Sequence, residues 1–265
     1  MAELKLVLGL AVLAAGALGG ALPLRRFGRE DAAGGRVLER AYAFSAGVFL
    51  AAGLVHLLPR ADAAWRELGF DYPLAFALAA AAILLMLLFE HVLPPEEAHH
   101  ALHAPSAERF SHLPEASPRG AYAVLIALSV HALLAGLALG TQRSAGGALV
   151  IFAALLAHKT VEGFALGVSL VRHGMPAGRA WTLLGLFALA TPLGIALGAG
   201  LDAWLDDTTR GGLEATFLAL AAGTFAYVAT LDILREELQT PGDRLAKWLW
   251  VVVGAAGMGV LALWV

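Results

Sequence analysis

Cysteine is absent from the 265 residues, which excludes disulfides and every thiolate metal site. Charge is scarce as well: Asp, Glu, Lys and Arg make up 15% of the chain and the formal net charge is −3, so no strongly basic balance points to a nucleic-acid partner. No HExxH motif occurs and no Ser is arranged with a His in triad fashion, which argues against an intramembrane metalloenzyme or hydrolase. The space these features leave is apolar. Hydrophobic residues reach 59% with a mean hydropathy of +0.74, against roughly 45–50% apolar residues in a soluble domain. The composition is that of an integral membrane protein.

A bilayer core about 30 Å thick requires roughly 20 apolar residues per helix. Eight windows of that kind appear, near 5–24, 41–59, 72–93, 121–140, 147–171, 181–201, 214–234 and 246–265. They leave little chain for a soluble domain, and the bilayer admits no lipid-exposed unpaired backbone. The expected fold is all-α, an eight-transmembrane-helix bundle forming one domain over 1–265. The first window also has the length of a secretory signal, but its basic cluster follows the apolar run rather than preceding it, which suits a retained helix. Lys and Arg outside the windows divide twelve to one side and five to the other. By the positive-inside rule this places both termini outside and the 94–120 connection inside, with the plasma (inner) membrane as the expected location.

That connection, "PPEEAHHALHAPSAERFSHLPEASPRG", holds five Pro and four His. It reads as a cytoplasmic loop in which His99, His100, His103 and His112 either gather a borderline metal or are simply solvated.

Two self-similarities stand out. "HALLAGLALG" (131–140) and "HKTVEGFALG" (158–167) agree at His, Gly, Ala, Leu and Gly on consecutive, hence antiparallel, spans. "GVFLAAGLVHLL" (47–58) and "GTFAYVATLDIL" (223–234) share Gly47/Gly223, Phe49/Phe225 and Leu58/Leu234, and align His56 with Asp232. The second and seventh spans run in opposite directions, so the pattern predicts inverted repeats, spans one to three and six to eight, around spans four and five.

Ionisable residues within spans are costly and mark function or a paired structural role. Here they are His131, His158, Lys159 and Glu162, with His56, Glu90, His91 and Asp232 nearer the span ends. His158 and Glu162 stand four apart, on one helix face at chelating spacing. His131 from the neighbouring span supplies a third ligand for a divalent ion. Nitrogen and carboxylate oxygen without sulfur suit zinc, and also admit iron(II), manganese and cadmium. Lys159, three before Glu162, is close enough for an ion pair and repels a second cation, which favours a single metal position. Gly136, Gly140, Gly163 and Gly167 have small-xxx-small spacing and are expected to let spans four and five approach, or else to serve as ordinary packing glycines. Pro192 and Gly194 are candidates for a local break in span six.

In order along the chain, "HALLAG", "HKTVEG", "ATPLG" (190–194) and "GTFAYVATLDILREEL" resemble the fourth to seventh helices of the ZIP family of zinc- and iron-regulated transporters. The resemblance implies eight helices, outside termini, a His-bearing third connection and compatibility with a homodimer. It implies that His131, His158 and Glu162 are transport-site ligands for a divalent cation and that Lys159 and Thr191 occupy second-site positions; beside these, His56 and Asp232, near the span ends, are expected to be relay or auxiliary positions. It also exposes a departure, because the family's Glu after the fourth-helix His is Ala135 here. Water, Asp232 or His56 could fill that vacancy. The expected function is a divalent-metal, most simply zinc, transporter into the cytoplasm, with the metal as cargo and no cofactor; the alternative is a non-transporting membrane metal sensor or scaffold.

Overall fold

A computed structural model describes residues 1–26, 32–92, 118–202, 204–239 and 243–263. Among these residues regular structure is helical, and seven helices are long and apolar enough to cross a membrane: α1 (Ala2–Arg26), α2 (Gly35–Glu67), α4 (Gly120–Gly140), α5 (Ala145–Arg172), α6 (Ala177–Leu201), α7 (Asp207–Gln239) and α8 (Arg244–Leu261). Between α2 and α4 lies a shorter apolar helix, α3 (Leu74–Glu90).

Helix ends follow local chemistry. Ser144, Asp206 and Asp243 cap α5, α7 and α8, their side chains accepting from the amides of Gly147, Thr209 and Ala246 at 3.0, 2.8 and 3.0 Å. After α5 the chain turns at Gly174, whose φ of 66° lies in the left-handed region that a side chain would disfavour. Helices α2 and α7 run 33 residues each, well past the apolar windows, because "RVLER", "DTTRGGLEAT" and "REELQ" are polar but helix-compatible. Each contains a π-helical stretch, Ala52–Leu57 in α2 and Val228–Leu234 in α7, which inserts an extra residue per turn and re-aims the side chains there. His56 and Asp232 sit in these stretches.

The glycines follow the second expectation, ordinary packing, rather than an approach of α4 to α5. Gly136 and Gly140 face α6, where an added Cβ would meet the Thr191 and Ile195 carbonyls, and Gly163 and Gly167 face α1, meeting the Gly16 and Gly20 carbonyls. Small residues let backbones touch, but here they bring α4 to α6 and α5 to α1 rather than α4 to α5. The other half shows the same device: Gly47 and Gly254 join α2 to α8 across the Val251 and Phe44 carbonyls, and Gly223 lies against Ala79 of α3. Two helix groups result, α1, α4, α5 and α6 in one and α2, α3, α7 and α8 in the other. Phe49 and Phe225 stack at 5.1 Å where α2 meets α7. Helix α6 passes through Pro192 without a break, so the local interruption for which Pro192 and Gly194 were candidates is not formed; Gly194 there packs on the Leu133 carbonyl of α4.

Candidate metal site

Helix α5 projects His158 and Glu162 from one face, and α4 brings His131 to them. All three are buried, at 1%, 0% and 0% exposure. Each histidine places Nε2 3.5 Å from the same oxygen, Glu162 Oε1, and one ligand atom from each residue lies within 4.8 Å of the others. A tetrahedral ion with bonds of about 2.1 Å separates its ligands by roughly 3.4 Å, so two of the three spacings already have the required size.

The polar atoms that meet here lack other partners. His131 Nε2, both nitrogens of His158 and Glu162 Oε1 are buried without a hydrogen bond, and each such group costs about 1–3 kcal/mol unless something binds it. The tautomer of His131 is set from behind. Its Nδ1–H donates to the Ala221 carbonyl at 3.0 Å, so in the neutral ring Nε2 carries the lone pair that faces Glu162. The Thr224 hydroxyl donates to the same carbonyl at 2.8 Å. Phe225 stacks on the His131 ring, 3.4 Å between centroids at 18°, and meets His158 edge-on at 5.2 Å. Ala221, Thr224 and Phe225 all lie on α7, so one helix group carries the His, His and Glu cluster and the other orients the His131 ring. Sequence reasoning did not assign these three a place at the site; Thr224 and Phe225 were visible only as parts of the 223–234 repeat and the seventh-helix motif.

The other carboxylate oxygen is engaged. Lys159, fully buried, donates from Nζ to Glu162 Oε2 at 2.8 Å, and its ammonium lies 4.1 Å from the Phe187 ring centroid on α6. The ion pair expected from the spacing is present. The carboxylate of Glu162 is thus balanced by Lys159, and of the three clustered residues His131 and His158 face the cavity beside them.

That cavity has a volume of about 20 Å³ and is lined by His56, Arg60, His131, Ala135, Ile151 and His158 among others. It is large enough for roughly one water. Ala135 therefore opens onto the site, and His56, buried with Nε2 unpartnered, shares the cavity. Asp232 belongs to neither the ligand cluster nor the cavity lining; it stands eight residues beyond Thr224 on α7. Of the two side chains considered for the Ala135 vacancy, only His56 is at hand. Thr191 is buried on α6 with its hydroxyl unpartnered. His99, His100, His103 and His112 lie outside the described residues.

Helices of membrane-crossing length around a buried His, His and Glu cluster define a polytopic membrane protein with a cation-sized site, and the family model described as ZIP Zinc transporter matches residues 2–115 and 94–262. The chain belongs to that family. Its members are transporters, not enzymes. Zinc transporter ZIP2 of Homo sapiens is 35% identical over 155 residues, covering 58% of this chain and 50% of that protein. Zinc transporter ZIP2 of Mus musculus is 31% identical over 278 residues, covering 88% and 89%, and Zinc transporter ZIP1 of Takifugu rubripes is 27% identical over 262 residues, covering 85% of each.

Proposed function

We propose that the protein moves a divalent cation, zinc first among them, into the cytoplasm by alternating access around His131, His158 and Glu162. The observation that carries this reading is the convergence of three buried, otherwise unpartnered ligand atoms on one point deep in the helix bundle. The metal is cargo. Water in the Ala135 cavity, or His56, completes its coordination, and His56 receives the ion before the inner ligands do.

The reading takes eight transmembrane helices, with α3 as the short one, and inverted repeats. What supports the repeats is an exchange of α1 with α6, α2 with α7, α3 with α8 and α4 with α5. Under it the packed pair α1–α5 becomes α6–α4, α2–α8 becomes α7–α3, and α4–α7 becomes α5–α2, each of which is also packed. The π-helical stretches of α2 and α7 coincide in the alignment of His56 with Asp232. The basic end of the bundle, where α5 ends at Arg172, is taken as cytoplasmic and the termini as outside.

Ala135 favours a second reading, a membrane metal sensor that binds without transporting, since it removes a ligand while Lys159 offsets the remaining carboxylate. Zinc uptake into proteoliposomes separates the two. Uptake abolished by His158→Ala is the expected result; uptake unaffected by that substitution contradicts the site, and none from the unaltered protein favours the sensor.

A further inference from the structure

The far end of the molecule, away from His56 and the cavity, is held by a set of charges, two of them fully buried, that the site does not use. Arg172, in the last turn of α5, bonds Glu237 of α7, with Glu236 at 3.7 Å and the Tyr42 ring of α2 5.4 Å from its guanidinium. Lys247 of α8 lies 3.1 Å from the Glu237 carboxylate, 3.2 Å from the Glu237 carbonyl and 3.2 Å from Glu39 of α2. Glu237 is 0% and Lys247 2% exposed. The buried carboxylate of Glu237 thus ties α5 to α7 and α8, and Lys247 extends the tie to Glu39 of α2.

The cavity end is joined differently. There Arg143, before α5, pairs with Asp207 at the start of α7 at 3.0 Å, with side chains 48% and 83% exposed. An exposed pair contributes little, while a buried one holds firmly because breaking it leaves charge stranded. The site lies where α4 and α5 meet α7, the same seam that Arg172 and Glu237 close further along. An ion reaching His131 and His158 from the cavity end meets this closure if it is to continue.

Building on the transport reading above, we propose that Arg172 and Glu237, braced by Lys247, form a latch that keeps this end shut while the cavity faces the other, and that opens when the helix groups part to release the ion. The absence of cysteine makes the test direct. Ser169→Cys, one turn before Arg172 and fully buried, reports on the latch end, and Ala154→Cys, in the cavity lining, reports on the other. Each is introduced singly into the full chain in detergent, and its reaction with a charged thiol reagent is timed.

Arg172→Gln or Glu237→Gln is expected to speed modification of Ser169→Cys by about tenfold or more, as a population shift toward the open state requires, and Arg172→Lys to restore protection. Modification of Ala154→Cys stays level or slows. Unchanged protection of Ser169→Cys in both charge-removed variants overturns the latch, and so does a parallel rise at both reporters, which signals general loosening. The readout does not depend on transport. If the reporters respond as expected while the parent protein takes up no zinc, the latch stands and the transport reading fails.

Discussion

Lys159 and Glu162 offer a quantitative test of how the site is built. Both are fully buried and 2.8 Å apart, so each is the other's main compensation for leaving water. Removing one partner of a buried pair costs about 3–5 kcal/mol, because the survivor's charge is stranded, whereas removing both is close to neutral. For a chain of this size 1 kcal/mol corresponds to about 2–4 °C in melting temperature, so Glu162→Gln or Lys159→Met alone is expected to lower it by roughly 6–20 °C. The double variant should lie within about 2 kcal/mol of the parent, giving a coupling energy of several kcal/mol. The assay is thermal unfolding in detergent with chelator present, so that bound metal adds nothing to the comparison. Singles whose costs simply add would refute the reasoning, since the two groups would then be compensated elsewhere.

Gly163→Ala and Gly136→Ala each push a Cβ onto the backbone of a neighbouring helix and are expected to cost about 1–3 kcal/mol. Gly185→Ala and Gly257→Ala, whose Cβ atoms meet nothing within 4 Å, should be neutral or slightly stabilising, and equal melting of all four contradicts the packing. Ala135→Glu places a carboxylate at the cavity and is expected to tighten zinc binding about tenfold or more, the equivalent of about 1.4 kcal/mol, in competition with a chelator. Unchanged affinity means that position 135 does not reach the ion.

The clustering of His131, His158 and Glu162 was legible because a four-residue spacing fixes His158 and Glu162 on one face and the repeated decamer singles out His131. Which neighbours surround them was not. Gly136 and Gly163 announce that a helix comes close, but the spacing carries no information on which one, and the partners proved to be α6 and α1. The contacts that set the His131 ring come from Ala221, Thr224 and Phe225, some 90 residues away in sequence and uncharged, and although Thr224 and Phe225 fall within the 223–238 motif nothing in it points to position 131. Hydropathy windows also clipped α2 and α7, and with them Glu39 and Glu237, because a window rewards apolar residues and Glu237 is buried by pairing instead. For the same reason Asp232 looked equivalent to His56 in alignment, although only His56 reaches the cavity.

X-ray absorption at the zinc edge, on protein loaded with one equivalent of zinc and with the four histidines of the 94–117 segment replaced, addresses the coordination itself. Two imidazole nitrogens near 2.0–2.1 Å with oxygen filling the remaining positions are expected, falling to one imidazole in His131→Ala and in His158→Ala. A spectrum with no imidazole, or one that neither substitution changes, would show that the cation is held somewhere else.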